Sequence, residues 1–157
     1  MVKKKKTRTP RGFKPEGFQG FKNKCRSKFE LRIGKQLFKQ KVPFEYEKLK
    51  LKFQQPSKNR TYTPDFILPN GIIIEAKGRL TVKGRQKHGW VKDQHPDLDI
   101  RFVFQRSKNP IYKGSKTTYA DWADKNGFKW AEKRIPTSWL KEPKKNIALG
   151  EKVRRKN

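Results

Sequence analysis

An acidic residue that closes a strongly apolar strand calls for a chemical reason in a chain where basic residues outnumber acidic ones 42 to 14. Glu75 ends the run Ile72-Ile73-Ile74, and Lys77 follows two residues later. Strand side chains alternate between faces, so Glu75 and Lys77 project together. Of the 14 acidic residues, only Glu75 and Glu142 have lysine at that spacing. The turn before this strand adds a second constraint. Pro69 suits position i+1 of a type I turn and Gly71 the left-handed position after it, so Pro69-Asn70-Gly71 reads as a three-residue hairpin loop. That register sets Asp65 opposite Glu75 with Cβ atoms about 5 Å apart, and carboxylates so placed repel unless a cation lies between them. Phe66, Leu68, Ile72 and Ile74 then share the other, core-facing side. A two-residue Asn-Gly loop would send Asp65 and Glu75 to opposite faces; the three-residue loop is preferred because it uses the proline. Two carboxylates beside a lysine suit a hard ion such as Mg²⁺, with Mn²⁺ as a substitute, completed by waters and phosphate oxygens. The expected chemistry is metal-assisted phosphodiester hydrolysis, in which Lys77 orients the attacking water or offsets developing charge. Taken singly, Asp65 also reads as an ordinary turn aspartate and Glu75-Ala76-Lys77 as a salt-bridged strand end. Their shared register favours the site.

Charge names the substrate class. Among 157 residues, 42 Lys and Arg face 14 Asp and Glu, a net charge of +28, far more than solubility requires. The excess is +8 over residues 1–24, +5 over residues 141–157 and +15 between them. A polyanion such as DNA is the expected partner; basic tails that merely solvate the body are the weaker reading. The length suits a single catalytic unit. No apolar run approaches the roughly 20 residues of a membrane span, and neither a lipidation signal nor a membrane-surface amphipathic helix is evident. The basic N-terminus lacks the apolar stretch of a signal peptide. Cys25 is the single cysteine, so neither an intrachain disulfide nor a thiolate metal cluster can form within one chain. A cytoplasmic, reducing location is expected.

The elements that must position these residues read as a mixed α/β domain. Residues 1–23, with four consecutive lysines, prolines and few aliphatics, read as a flexible basic arm. Over residues 24–41, Phe29, Ile33 and Leu37 recur every four positions, a helical stripe that Pro43 stops. Residues 44–53 alternate like a strand, but the apolar positions change phase near Glu47, which implies a bulge or a change of packing partner. Strands are expected over residues 61–68, 72–77, 99–104 and 128–130. Helices are expected over residues 86–94, over 118–126 (capped by Thr117 or Thr118 and ended by Gly127) and, as one turn, over 137–141. A basic tail follows from Pro143.

A longer set of motifs is more specific than the site alone. Pro64-Asp65 followed by Glu75-Ala76-Lys77 matches the nuclease superfamily marked by a proline-aspartate pair and an acidic-x-lysine tripeptide. Around it stand Arg26-Ser27, Phe44-Glu45-Tyr46-Glu47, Thr61-Tyr62-Thr63-Pro64-Asp65-Phe66, Leu68-Pro69-Asn70-Gly71-Ile72, Gln94-His95-Pro96, Leu98-Asp99-Ile100-Arg101, Tyr112-Lys113-Gly114-Ser115 and Lys141-Glu142-Pro143-Lys144-Lys145. Over roughly residues 25–145 the chain resembles the endonuclease I family of T-seven-like phages, which are Holliday-junction resolvases. The resemblance implies a restriction-endonuclease-like mixed sheet flanked by helices, Mg²⁺-dependent incision on both sides of a DNA branch point, and a homodimer. In that dimer, residues 44–53 bridge two nuclease domains (residues 24–142) and the N-terminal helix is exchanged. The family's catalytic set falls on Glu30, Asp65, Glu75 and Lys77, with Asp65, Glu75 and Glu30 as the metal-holding groups. On a helical wheel Glu30 borders the apolar stripe near Leu37, with Gly34 one turn on. The chain departs from the family in its longer, more basic arm and in residues 79–84, which lack acidic side chains.

Arg85, Lys87 and His88 follow the catalytic strand and are candidate phosphate contacts, although a solvated helix face explains each about as well. His88 and His95 lack a cysteine partner and make a poor zinc site; His95 reads as structural. Trp90, Trp122, Trp130 and Trp139 read as packing residues. Gly12, Gly17 and Gly20 lack the context of a phosphate loop. Two other functions stay open: a general or sequence-specific DNA-degrading nuclease, and a non-catalytic nucleic-acid-binding protein for which charge alone suffices.

Overall fold

The computed structural model describes residues 17–55, 57–145 and 153–154. The first described element is helix α1 (Gly17–Lys24), which corrects the end of the arm expected over residues 1–23. Phe21 is the reason: it is buried against Phe44, Tyr46 and Phe66, so this stretch has a core to fold onto. The part of the expected arm before Gly17 lies outside the described residues. Helix α2 (Lys28–Lys39) is capped by the Ser27 side chain, which accepts from the Glu30 amide at 3.0 Å. Its buried residues are Phe29, Ile33, Gly34 and Leu37, and each fully buried apolar side chain contributes about 1.5–3 kcal/mol. Gly34 is where α1 crosses: a Cβ there would lie 2.0 Å from the Phe21 ring.

The phase change near Glu47 is a break between two sheets. Strands β1 (Glu45–Tyr46) and β2 (Leu49–Gln55) are separated by Glu47, whose φ of 49° turns the chain. A second break corrects the single strand expected over residues 61–68. Strand β3 (Lys58–Tyr62) pairs with β2, whereas β4 (Phe66–Ile67) pairs with β1 and with β5 (Ile73–Lys77). Pro64 stands between β3 and β4 and has no N–H to give a ladder. Parallel strands β6 (Ile100–Phe104) and β7 (Lys129–Glu132) complete a mixed five-stranded sheet, β1-β4-β5-β6-β7. The smaller sheet is β3-β2-β8, with β8 (Val153–Arg154) from the expected basic tail.

Helix α3 (Val82–Gln94) starts one turn before its expected bound, capped by Thr81. Among its residues only His88 and Val91 are buried, too few to mark its first turn by periodicity. Helix α4 (Tyr119–Lys125) begins with a reciprocal capping box between Thr118 and Asp121 and ends at Gly127, φ 70°. Helix α5 is Thr137–Leu140. One face of the main sheet, with Phe66, Ile72, Ile74 and Val103, packs on α1, α2 and Trp139. The other, with Ile73, Phe102 and Phe104, packs on α3, α4 and the apolar side of β2. Covered on both faces, β5 places the acid-x-lysine motif inside the molecule.

The tail also begins later than Pro143. Arg101 on β6 is fully buried and bonds both Asp99 and Glu142 through paired contacts of 2.6–2.8 Å. Lys145 reaches the Asp99 carboxylate at 2.5 Å, and its amide donates to the Asn70 carbonyl. Residues 142–145 are therefore tied to the hairpin loop and the start of β6.

Candidate active site

The hairpin has the three-residue loop. Phe66 pairs with Ile74 and Ile67 with Ile73, the Leu68 amide donates to Ile72 O, the Gly71 amide donates to Leu68 O, and Gly71 has φ 88°. One step further in this register, Asp65 stands opposite Glu75. Asp65 Oδ2 accepts from the Ala76 amide at 2.9 Å. Glu75, 1% exposed, receives the Tyr62 hydroxyl on Oε1 at 2.5 Å and the Lys77 ammonium on Oε2 at 2.8 Å. Asp65, Glu75 and Lys77 share a cavity of about 310 Å³.

Glu30 faces the same cavity from the first turn of α2. Its carboxylate is held from two sides, by the Tyr46 hydroxyl at 2.5 Å and the Ser27 hydroxyl at 3.0 Å. Arg26 and Glu47, an ion pair at 3.2 Å, complete this wall. The Glu47 amide also donates to Asp65 O at 3.3 Å. Sequence spacing flags neither group, because the wall forms only when the β1–β2 break folds against β4.

The electrostatics are those of crowded carboxylates. Burial and the negative charge of Glu75 raise the Asp65 carboxyl well above the usual carboxylate range. Burial pushes Glu75 upward too, but the Lys77 ammonium and the Tyr62 hydroxyl outweigh it and hold Glu75 ionised, below its ordinary value. Burial disfavours the Lys77 ammonium, yet Glu75 and then Asp65 raise it well above its ordinary value, so Lys77 stays charged. Burial and the Glu30 carboxylate likewise keep the Tyr46 phenol protonated as a donor.

An ion such as Mg²⁺ fits this donor set. Among the described residues no three Asp, Glu, His or Cys side chains form a ready-made cage; Mg²⁺ is commonly held by one or two carboxylates plus waters and substrate phosphates. Asp65, disfavoured as an anion beside Glu75, is the group a cation would relieve.

The structure separates the three candidates on α3. Lys87 lines the cavity, with its ammonium 5.5 Å from the Tyr62 ring centre, and burial lowers its pKa. Arg85 is instead turned to structure: its Nη1 donates to Leu80 O at 3.0 Å and to Ile111 O at 2.9 Å. His88 is not a surface phosphate contact. It is fully buried, edge-on to Tyr62 and Phe102, with Nε2 3.6 Å from Glu75. Burial keeps it neutral at ordinary pH, lowering its pKa to about 3. Its position one turn before buried Val91 was the available signal. His95 is structural as expected, bonded to Lys52 O at 2.7 Å. Trp122 and Trp139 are buried, while Trp90 and Trp130 are half-buried against the core.

The family model described as Phage endonuclease I matches residues 17–157. Endonuclease I of Escherichia phage T7 is 47% identical over 131 residues, covering 83% of this chain and 87% of that protein. Endodeoxyribonuclease 1 of Enterobacteria phage T3 is 45% identical over 122 residues, covering 78% of this chain and 80% of its own length. With the cavity built from Glu30, Asp65, Glu75 and Lys77, and the matched region spanning all of it, this chain belongs to the phage endonuclease I family.

Proposed function

We propose that this chain is a structure-selective DNA endonuclease that resolves four-way junctions and other branched DNA by metal-dependent phosphodiester hydrolysis in the cytoplasm of a phage-infected host. The observation that carries the reading is the convergence of Asp65, Glu75 and Lys77 in one polar cavity of a chain with net charge +28. The T7 and T3 relatives, by name an endonuclease and an endodeoxyribonuclease, support it.

Asp65 and Glu75, with Glu30 on the facing wall, would hold Mg²⁺ or Mn²⁺, which when bound polarises the scissile phosphate and makes a bound water acidic. Lys77 supplies a permanent positive charge against the oxygen that becomes negative in the transition state. Tyr62 and the Ala76 amide fix the two carboxylates, so they need not reorganise as charge develops. Tyr46 and Ser27 do the same for Glu30. Lys87 at the rim neutralises a neighbouring phosphate.

We also propose that the working form is a homodimer in which α1 and α2 are exchanged. These helices join the rest of the chain through residues 40–48, and Glu47, with φ 49°, stands between strands of different sheets. A residue other than glycine held at positive φ stores backbone strain that a more extended conformation would release. Opening there would let α1 and α2 of one chain complete the same cavity on another.

The test is incubation of the purified chain with four-way, three-way and linear DNA in Mg²⁺, Mn²⁺ or chelator. Metal-dependent incision close to the branch, with linear DNA spared, is expected. Equal cutting of linear DNA would make the chain a general nuclease, and no incision in any metal would refute catalysis.

A further inference from the structure

Three large apolar residues are exposed among the described residues: Phe38, Val82 and Tyr112. Phe38 stacks on Phe18 of α1, with ring centres 4.7 Å apart. Tyr112, 61% exposed, lies in the Tyr112-Lys113-Gly114-Ser115 motif, to which the hydrolytic site assigns no role. The loop that carries it starts beside the site. Gln105 follows β6, and its amide donates to the Lys77 carbonyl at 3.0 Å. The loop is tied a second time where Arg85 of α3 binds the Ile111 carbonyl.

The turn itself is firmly built. The Ser115 amide donates to Tyr112 O and the Ile111 amide to Thr117 O, both at 3.0 Å; Thr117 N–H meets the Ser115 hydroxyl at the same distance. Gly114, φ 85°, takes the left-handed corner. Residues 100–120 contain no acidic side chain, and Lys108, Lys113 and Lys116 are exposed. Beside the cavity, sharing Lys77 and Lys87 with it, a groove of about 280 Å³ is lined further by Arg79, Leu80, Thr81, Lys83 and Gly84. Val82, the remaining exposed apolar residue, lies within that segment.

We propose that Tyr112 is a stacking platform for a nucleobase of the DNA substrate, one left without a stacking neighbour at the branch, while the surrounding lysines hold its flanking phosphates. This rests on the branched-DNA reading above. A base has an apolar face and an anionic tether. A phenol ring carried on a hydrogen-bonded turn among lysines complements both, and its side chain has few rotors to freeze. A duplex interior, stacked on both sides of every base pair, offers no such face, so the contact favours branched DNA over uninterrupted duplex.

The experiment measures binding in Ca²⁺ to a four-way junction carrying 2-aminopurine beside the branch, to a gapped duplex with 2-aminopurine at the gap and to a covalently closed circular duplex without ends, for the unaltered chain, Tyr112→Ala and Tyr112→Phe. Tyr112→Ala is expected to weaken junction binding about tenfold or more, abolish the quenching of 2-aminopurine and leave binding to the closed circle unchanged; Tyr112→Phe retains both signals. If Tyr112→Ala binds and quenches like the unaltered chain, the platform is refuted while junction preference stands. If the unaltered chain shows no junction preference yet quenches a flipped or gapped base in a Tyr112-dependent way, the branched-DNA reading fails and the platform stands.

Discussion

The hydroxyl of Tyr62, at the end of β3 in the small sheet, donates to Oε1 of Glu75 in the middle of the large sheet at 2.5 Å. One hydrogen bond thus joins the two sheets and orients a candidate metal-holding carboxylate. Tyr62→Phe removes the donor and leaves Glu75 Oε1 buried without it. A destabilisation of about 1–3 kcal/mol is expected, together with a higher Mg²⁺ concentration for half-maximal cleavage. Denaturant unfolding and a metal titration measure the two effects; an unchanged metal requirement would mean Tyr62 only packs.

Asp65→Asn and Glu75→Gln are each expected to lower cleavage by several orders of magnitude while leaving junction binding in Ca²⁺ or chelator largely intact. Without metal, Asp65→Asn should not lower the unfolding midpoint, because burial and Glu75 already disfavour the Asp65 anion. Calorimetry in chelator checks this. A large loss of stability would show that the Asp65 charge stabilises the fold.

Burial works against the ionised Asp99 carboxylate, but Arg101 and Lys145 more than offset it and hold its pKa down to about 2 from 3.8. A carboxyl whose folded pKa is depressed contributes stability that is present above the unfolded value and lost as pH falls toward the folded one. This contribution, on the order of 2 kcal/mol, should therefore be complete above pH 4 and disappear between pH 4 and 2. Asp99→Asn should lower stability at pH 7 and flatten that acid limb in urea titrations. A mutant with the parent's acid limb would assign it elsewhere.

An exchanged dimer draws Glu30 from one chain and Asp65, Glu75 and Lys77 from the other. A heterodimer of a Glu30→Ala chain with an Asp65→Ala chain then has one doubly damaged site and one intact site. Differently tagged chains, co-expressed and purified through both tags, should nick a four-way junction on one strand and lose paired incision. A verified heterodimer as inactive as its parents would place Glu30 and Asp65 of each site on the same chain.

Local chemistry made part of this molecule legible. Pro69 and Gly71 determine the hairpin loop, the loop determines the register, and the register puts Asp65 and Glu75 on one face, since strand side chains alternate strictly. The stripe Phe29, Ile33, Leu37 marks α2 for the same kind of reason, and the changed phase at Glu47 marks a real switch between sheets. Tertiary structure decided what has no local period. Phe21 makes a helix of a basic, glycine-containing stretch because Gly34 leaves room for its ring. His88 is buried because α3 lies across the β5 face that bears Glu75, although its helical neighbours are polar. Glu30, Arg26 and Glu47 come to line one cavity with Asp65 only after α2 and the β1–β2 break fold against the sheet. A period within one element reports which of its faces is apolar; which element covers that face, and which charge is thereby buried, depends on contacts between residues far apart in the chain.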